Sequence, residues 1–97
     1  MKKLTIFIMA SCPYCRKAED AVKELRSEDP AYEKVEIEWI DETVHPEIAG
    51  RYDYYYVPSV FCSDEKLYEC SPKDDYAEIK RQIERTMKFA ARDAGNA

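Results

Sequence analysis

Leu4-Thr5-Ile6-Phe7-Ile8-Met9-Ala10-Ser11-Cys12-Pro13-Tyr14-Cys15 is the stretch on which the fold turns. Leu4 to Met9 is largely apolar and partly β-branched, as a central strand covered on both faces requires. Pro13 fits the first turn of a helix, where its missing N–H would have no partner anyway. Ala18, Ala21, Val22 and Leu25 follow at i, i+3, i+4, i+7, the spacing of one helix face. The stretch therefore predicts strand, turn and helix, with Cys12 just after the strand and Cys15 inside the helix.

Met1-Lys2-Lys3 ahead of the apolar run has the pattern of a secretory leader. Six apolar residues are few for one, and a buried first strand fits better. No stretch approaches the ~20 apolar residues that span a bilayer. A cytoplasmic location is expected, where structural disulfides are rare and a CxxC is more often catalytic or metal-binding.

Downstream, Ser27 to Pro30 ends the first helix. Val35, Ile37 and Trp39 alternate with Glu36 and Glu38, which predicts a strand with one wet face at a sheet edge. Pro46 opens a short helix from Glu47 to about Tyr52, with His45 or Thr43 near its cap. Ser59–Cys62 and Lys66–Cys70 read as a hairpin around Ser63-Asp64-Glu65. A last helix runs from about Asp74 to Ala91, with Tyr76, Ile79, Ile83, Met87 and Ala90 as its apolar stripe. The order is β-α-β-α-β-β-α. It predicts one α/β domain over residues 1–97, with a four-stranded mixed sheet. A right-handed crossover makes the first two strands parallel, and the second and fourth strands lie at the edges.

The 97 residues suffice for a single core. A net charge of −5 argues against nucleic acid, which needs clustered cations. The cations of the last third are interspersed with acids, as on a solvated helix face. A monomer acting on a protein or small-molecule partner, away from membranes, is expected.

The chemistry concentrates in Cys12-Pro13-Tyr14-Cys15. A helix N-terminus offers unpaired N–H groups and a positive dipole end, which favour a thiolate over a thiol. The two-residue spacer lets the second sulfur reach the first. Cys12 is expected to attack a substrate disulfide, and Cys15, deeper in the helix, to resolve the mixed disulfide. Arg16 and Lys17 add positive charge nearby. No flavin or nicotinamide fingerprint is present, so re-reduction needs an external thiol or reductase.

Other readings of the cysteines and of the lone histidine are weaker. A zinc site would need a second CxxC, which Cys62 and Cys70 do not form. With a turn at Asp64-Glu65, Cys62 would face Leu67 and Cys70 would lie ~10 Å further on, beyond the reach of a disulfide. Two buried or half-buried thiols are expected. His45 has no local partners for metal or acid–base work. Tyr52, Tyr54, Tyr55 and Tyr56 could wall a substrate site or pack beneath the second helix.

Cys-Pro-Tyr-Cys after a first strand, with Tyr56-Val57-Pro58-Ser59-Val60-Phe61 far downstream, resembles the glutaredoxin branch of the thioredoxin superfamily. The resemblance covers nearly the whole chain in element order. It implies a cis Pro58 facing the CxxC and a substrate-backbone contact at Val57. Pro13 and Tyr14, lying between the cysteines, and Tyr56, just before Val57, are expected beside the substrate, and Ser71 and Asp74 could contact a γ-glutamyl group. The resemblance further implies reduction of protein or glutathione mixed disulfides, with no bound cofactor or metal and with glutathione as reductant or co-substrate. The chain departs from glutathione-using members at three places. Met9 stands where they often have Lys, and Tyr56 where they usually have Thr. Glu69-Cys70-Ser71-Pro72-Lys73-Asp74-Asp75 replaces their Gly-Gly pair and Asp. A thioredoxin-reductase-like donor is the alternative. A non-catalytic peptide-binding module, or iron–sulfur or metal carriage through Cys12, is the competing class of function.

Overall fold

The computed structural model describes residues 2–95. β1 (Leu4–Ile8), β2 (Ile37–Asp41), β3 (Ser59–Cys62) and β4 (Glu65–Glu69) form one sheet in the order β2-β1-β3-β4. β1 pairs in parallel with β2, from Leu4–Ile37 to Ile8–Asp41. It pairs antiparallel with β3, from Leu4–Cys62 to Phe7–Ser59, and β3 pairs antiparallel with β4. The helices are α1 (Pro13–Glu28), α2 (Pro30–Glu33), α3 (Pro46–Ala49) and α4 (Tyr76–Gly95).

Alternation along β1 divides the core between the two sheet faces. Leu4 and Ile6 pack with Ala18, Val22 and Leu25 of α1 and with Ile79, Ile83 and Met87 of α4. Each fully buried Leu, Ile or Met contributes about 1.5–3 kcal/mol relative to exposure. Lys80 joins the rims of these helices through Glu24 at 2.7 Å and Glu28 at 2.8 Å. Such surface pairs add little compared with the packed stripe beneath them.

Phe7 points to the opposite face and meets Ile40 and Phe61. Its ring lies 4.7 Å from Tyr52 and 5.0 Å from Tyr54, the latter nearly parallel, and 5.7 Å edge-on to Phe61. The tyrosine run therefore splits. Tyr52 and Tyr54 complete the second core, whereas Tyr55 is 90% exposed and Tyr56 54%.

Several expected boundaries shift for local reasons. The hairpin turns at Ser63-Asp64, with Ser63 in the left-handed region at φ 54°, so Cys62 faces Glu65 rather than Leu67. A bulge between Val60 and Phe61 then brings Val60 opposite Tyr68. Val35 is buried just before β2 instead of inside it, after an unexpected turn of helix, α2. Asp29 starts that turn by accepting the Ala31 N–H at 2.9 Å, with Pro30 at the first helical position. α3 stops at Ala49 because Tyr52 is drawn into the Phe7 cluster. α4 begins at Tyr76 because Asp75 is its cap, accepting the Glu78 N–H at 2.9 Å. Among the described residues, no helix is long and apolar enough to cross a membrane.

Candidate active site

The end of β1 delivers the chain into a tight turn that places Cys12 at the N-cap of α1. The Cys12 N–H donates to the Met9 carbonyl at 3.2 Å, and Ser11 adopts φ 70°, a backbone state uncommon outside glycine. The Cys12 sulfur accepts the backbone N–H of Cys15 at 3.4 Å. An orphan donor of the helix start is thereby aimed at the sulfur. Cys12 is half-buried, whereas Cys15 is 1% exposed. Burial pushes the Cys15 thiol well up, and its side-chain hydrogen bond with Cys12 adds to the effect.

Val57 and Pro58 lie just before β3, on the side where the Val57 carbonyl meets Cys12. The Val57–Pro58 bond is cis, Pro58 is buried, and the Cys12 thiol donates to the Val57 carbonyl at 3.9 Å. The loop before Pro58 is fastened to the edge strand. The Glu69 carboxylate accepts the N–H groups of both Tyr55 and Tyr56 at 2.7 Å. Lys66 donates to Glu69 at 2.8 Å and to the Asp53 carbonyl at 3.2 Å. Ser59 Oγ donates to the Tyr56 carbonyl at 2.5 Å, and the Cys70 N–H to that of Pro58 at 3.0 Å. Burial tends to raise the Glu69 carboxyl, but Lys66 and the two backbone donors outweigh it and hold it below the usual carboxylate range. Glu69 is a positioning residue that the sequence reading missed. Its only signal was an acid on an edge strand beside Lys66.

The turn after β4 closes the third side. Tyr14 reaches across to donate its hydroxyl to the Pro72 carbonyl at 2.9 Å, with Lys17 over its ring at 5.5 Å. Asp74 accepts the Tyr68 hydroxyl at 2.6 Å and the Ser71 N–H at 3.0 Å, while Ser71 Oγ accepts the Lys73 N–H at 3.2 Å. The structure thus brings Val57 to Cys12 and Cys15, with Pro13 and Pro58 adjacent to them in the chain, while Tyr56 precedes Val57 and is half exposed. Ser71 and Asp74 have their polar groups engaged by each other, by Lys73 and by Tyr68 of β4. Cys62 and Cys70 are buried thiols, and burial pushes the Cys70 thiol up. Among the described residues, no group of three or more His, Cys, Asp or Glu side chains is placed to hold a metal.

On the other flank of Cys12 lies a cleft of about 620 Å³. It is lined by the Met9–Pro13 turn, by Arg16, Glu19, Asp20 and Lys23 of α1, and by Asp41 at the end of β2. Cys12 and Pro13 of this lining belong to the expected site and Arg16 was expected to add positive charge beside it, whereas Glu19, Asp20, Lys23 and Asp41 were not singled out. The i, i+3, i+4, i+7 spacing of the four helix residues was the available signal.

No family model matches the chain, and a search of curated proteins finds no match. Solved structures do match. Thioredoxin 1 from the thermophilic eubacterium Thermosipho africanus superposes with a TM-score of 0.58 at 18% identity, covering 90% of this chain and 96% of that one. A mutant thioredoxin from Halobacterium salinarum superposes with a TM-score of 0.55 at 24% identity, covering 84% of this chain and 71% of that one. The fold is α/β and thioredoxin-like, with a four-stranded mixed sheet and the CxxC pair at the start of α1.

Proposed function

We propose that the protein is a glutaredoxin-like thiol–disulfide oxidoreductase that reduces protein or glutathione mixed disulfides through Cys12 and Cys15. One observation carries this reading. The Cys12 sulfur stands at a helix start facing the Cys15 N–H at 3.4 Å and the Val57 carbonyl at 3.9 Å, with the Cys15 thiol sealed behind it. A half-buried sulfur beside a polar backbone edge suits attack on an incoming disulfide, and a shielded second thiol suits intramolecular release.

The cycle balances as follows. The Cys12 thiolate attacks one sulfur of the substrate disulfide; a Cys12–substrate bond forms, and the other sulfur leaves as a thiolate that takes a proton from water. Cys15 then loses its proton and attacks the Cys12 sulfur, forming the Cys12–Cys15 disulfide and releasing the second substrate thiol. Two electrons pass from the cysteine pair to the substrate, and an external thiol or reductase returns them. Tyr56, Val57 and Pro58 supply the substrate-facing rim, Val57 offering backbone to pair with an extended segment. Pro13 and Tyr14 shape the approach to the sulfur. Ser71 and Asp74 would meet a γ-glutamyl group if glutathione is the donor, and a monomer in the cytoplasm would suffice for the whole cycle.

Wild type and Cys12→Ser, assayed for disulfide reduction with glutathione and with a thioredoxin reductase as donors, test the reading. Turnover with at least one donor, abolished by the substitution, is expected. Equal inactivity of both proteins with every donor would leave a non-catalytic peptide-binding module. Iron–sulfur absorbance or bound zinc lost on Cys12→Ser would point to a carrier.

A further inference from the structure

β1 lies between β2 and β3, so Cys12, which follows β1, has two flanks. Val57 and Pro58 occupy the β3 side. The β2 side is the cleft of about 620 Å³ that ends at Asp41. Its helical wall is a row of charges, Arg16, Glu19, Asp20 and Lys23, at i, i+3, i+4, i+7 from the first. Among the described residues, none of these four forms an ion pair with another side chain. The next acids along the same helix behave differently, since Glu24 and Glu28 both pair with Lys80. The remaining acid of the cleft, Asp41, is already engaged, accepting the Thr43 N–H at 2.8 Å and its hydroxyl at 2.5 Å.

We infer that this cleft receives the polypeptide on one side of the substrate's reacting cysteine, and that Arg16 selects an acidic side chain close to that cysteine. The inference rests on the thiol–disulfide reading and names its substrate class. Length separates a polypeptide from a small thiol. At ~1.5 Å per residue, Lys23 lies ~16 Å along the helix from Cys12. An extended chain needs about five residues to cover that distance, which a small disulfide seated on Cys12 cannot do. Order along the wall gives the preference. Arg16 is about one turn from the sulfur, and its planar fork is suited to a carboxylate. The two acids come next and favour a cation further from the reacting cysteine, with Lys23 beyond them.

Two synthetic peptides test this, each with a single cysteine blocked as a mixed disulfide with 2-mercaptoethanol. They differ only in carrying Glu or Lys two residues to either side of that cysteine. Pre-reduced protein is mixed with each in a single turnover, with hydroxyethyl disulfide as the small reference. Wild type should react with the Glu peptide about fivefold faster, the scale of one exposed ion pair. Arg16→Lys should keep that order, and Arg16→Glu should reverse it. Equal rates for both peptides would overturn the inference while leaving the oxidoreductase reading intact. A Glu preference that persists in Arg16→Glu would overturn it as well. If wild type reduces neither peptide nor hydroxyethyl disulfide, the oxidoreductase reading fails and the inference falls with it.

Discussion

The backbone N–H of Cys15 points at the sulfur of Cys12 from 3.4 Å, while the Cys15 side chain itself is 1% exposed. One residue thus serves its partner twice, as a fixed dipole toward the half-buried sulfur and as a concealed thiol behind it. The asymmetry between two cysteines three positions apart follows from the N-cap. Cys12 lies outside the helix, and Cys15 already points into the packed face that carries Ala18.

Alkylation reads this asymmetry directly. Limiting iodoacetamide at neutral pH should modify Cys12 first in the reduced protein, because Cys15, Cys62 and Cys70 are all buried. Peptide mass mapping before and after denaturation checks it. Equal early labelling of Cys12 and Cys15 would contradict the asymmetry.

Alkaline solution should weaken the fold. Burial pushes the thiols of Cys15 and Cys70 up, and it does the same to the hydroxyls of Tyr54 and Tyr68. A group raised in the folded state keeps its proton where the unfolded chain has lost it. Its contribution is therefore complete below the unfolded value and declines above it. Stability should fall as pH rises past ~8.5 for the thiols and past ~10 for the tyrosines. Urea midpoints between pH 7 and pH 11 measure it, and a flat profile would be inconsistent with these buried groups.

Glu69→Gln should loosen the loop before Pro58. The variant keeps an acceptor but loses the charge that binds two N–H groups and Lys66, at a cost of about 1–2 kcal/mol. Amide exchange at Tyr55 and Tyr56 should speed up, more than at β1. Acid should act similarly in wild type. The Glu69 carboxyl is depressed on folding, so its contribution is present above the unfolded value of ~4.3 and is lost as pH falls through the folded one. Unchanged exchange in the variant would show that other bonds hold the loop.

Phe7→Ala should cost about 3–5 kcal/mol, because the ring is 0% exposed and touches Tyr52, Tyr54 and Phe61. Urea denaturation measures the loss, and a value below about 1 kcal/mol would mean that the second core collapses around the cavity.

Local chemistry was legible in the sequence and long-range placement was not. β1 and α1 were readable because a doubly buried strand and an amphipathic helix each leave a periodic trace, and Cys12 to Cys15 straddles their junction. The cis bond at Pro58 was readable only through resemblance, since nothing within its own segment says that Val57 meets Cys12. Glu69 escaped because it acts across the sheet edge on residues more than ten positions away. The hairpin slipped by one residue because Ser63 takes a left-handed conformation that its neighbours do not advertise. Glu19, Asp20 and Lys23 escaped because only the Met9–Pro13 turn and Asp41, brought opposite by the fold, give their helix face a facing wall.

Trapping the mixed disulfide tests dithiol exchange most directly. Cys15→Ser lacks the resolving thiol, so after exposure to hydroxyethyl disulfide its intact mass should rise by one mercaptoethanol adduct, mapped to Cys12 and removed by dithiothreitol. Wild type under the same conditions should instead lose two hydrogens, as Cys12 and Cys15 join. An adduct confined to Cys62 or Cys70, or no adduct on Cys15→Ser and no oxidation of wild type, would contradict it.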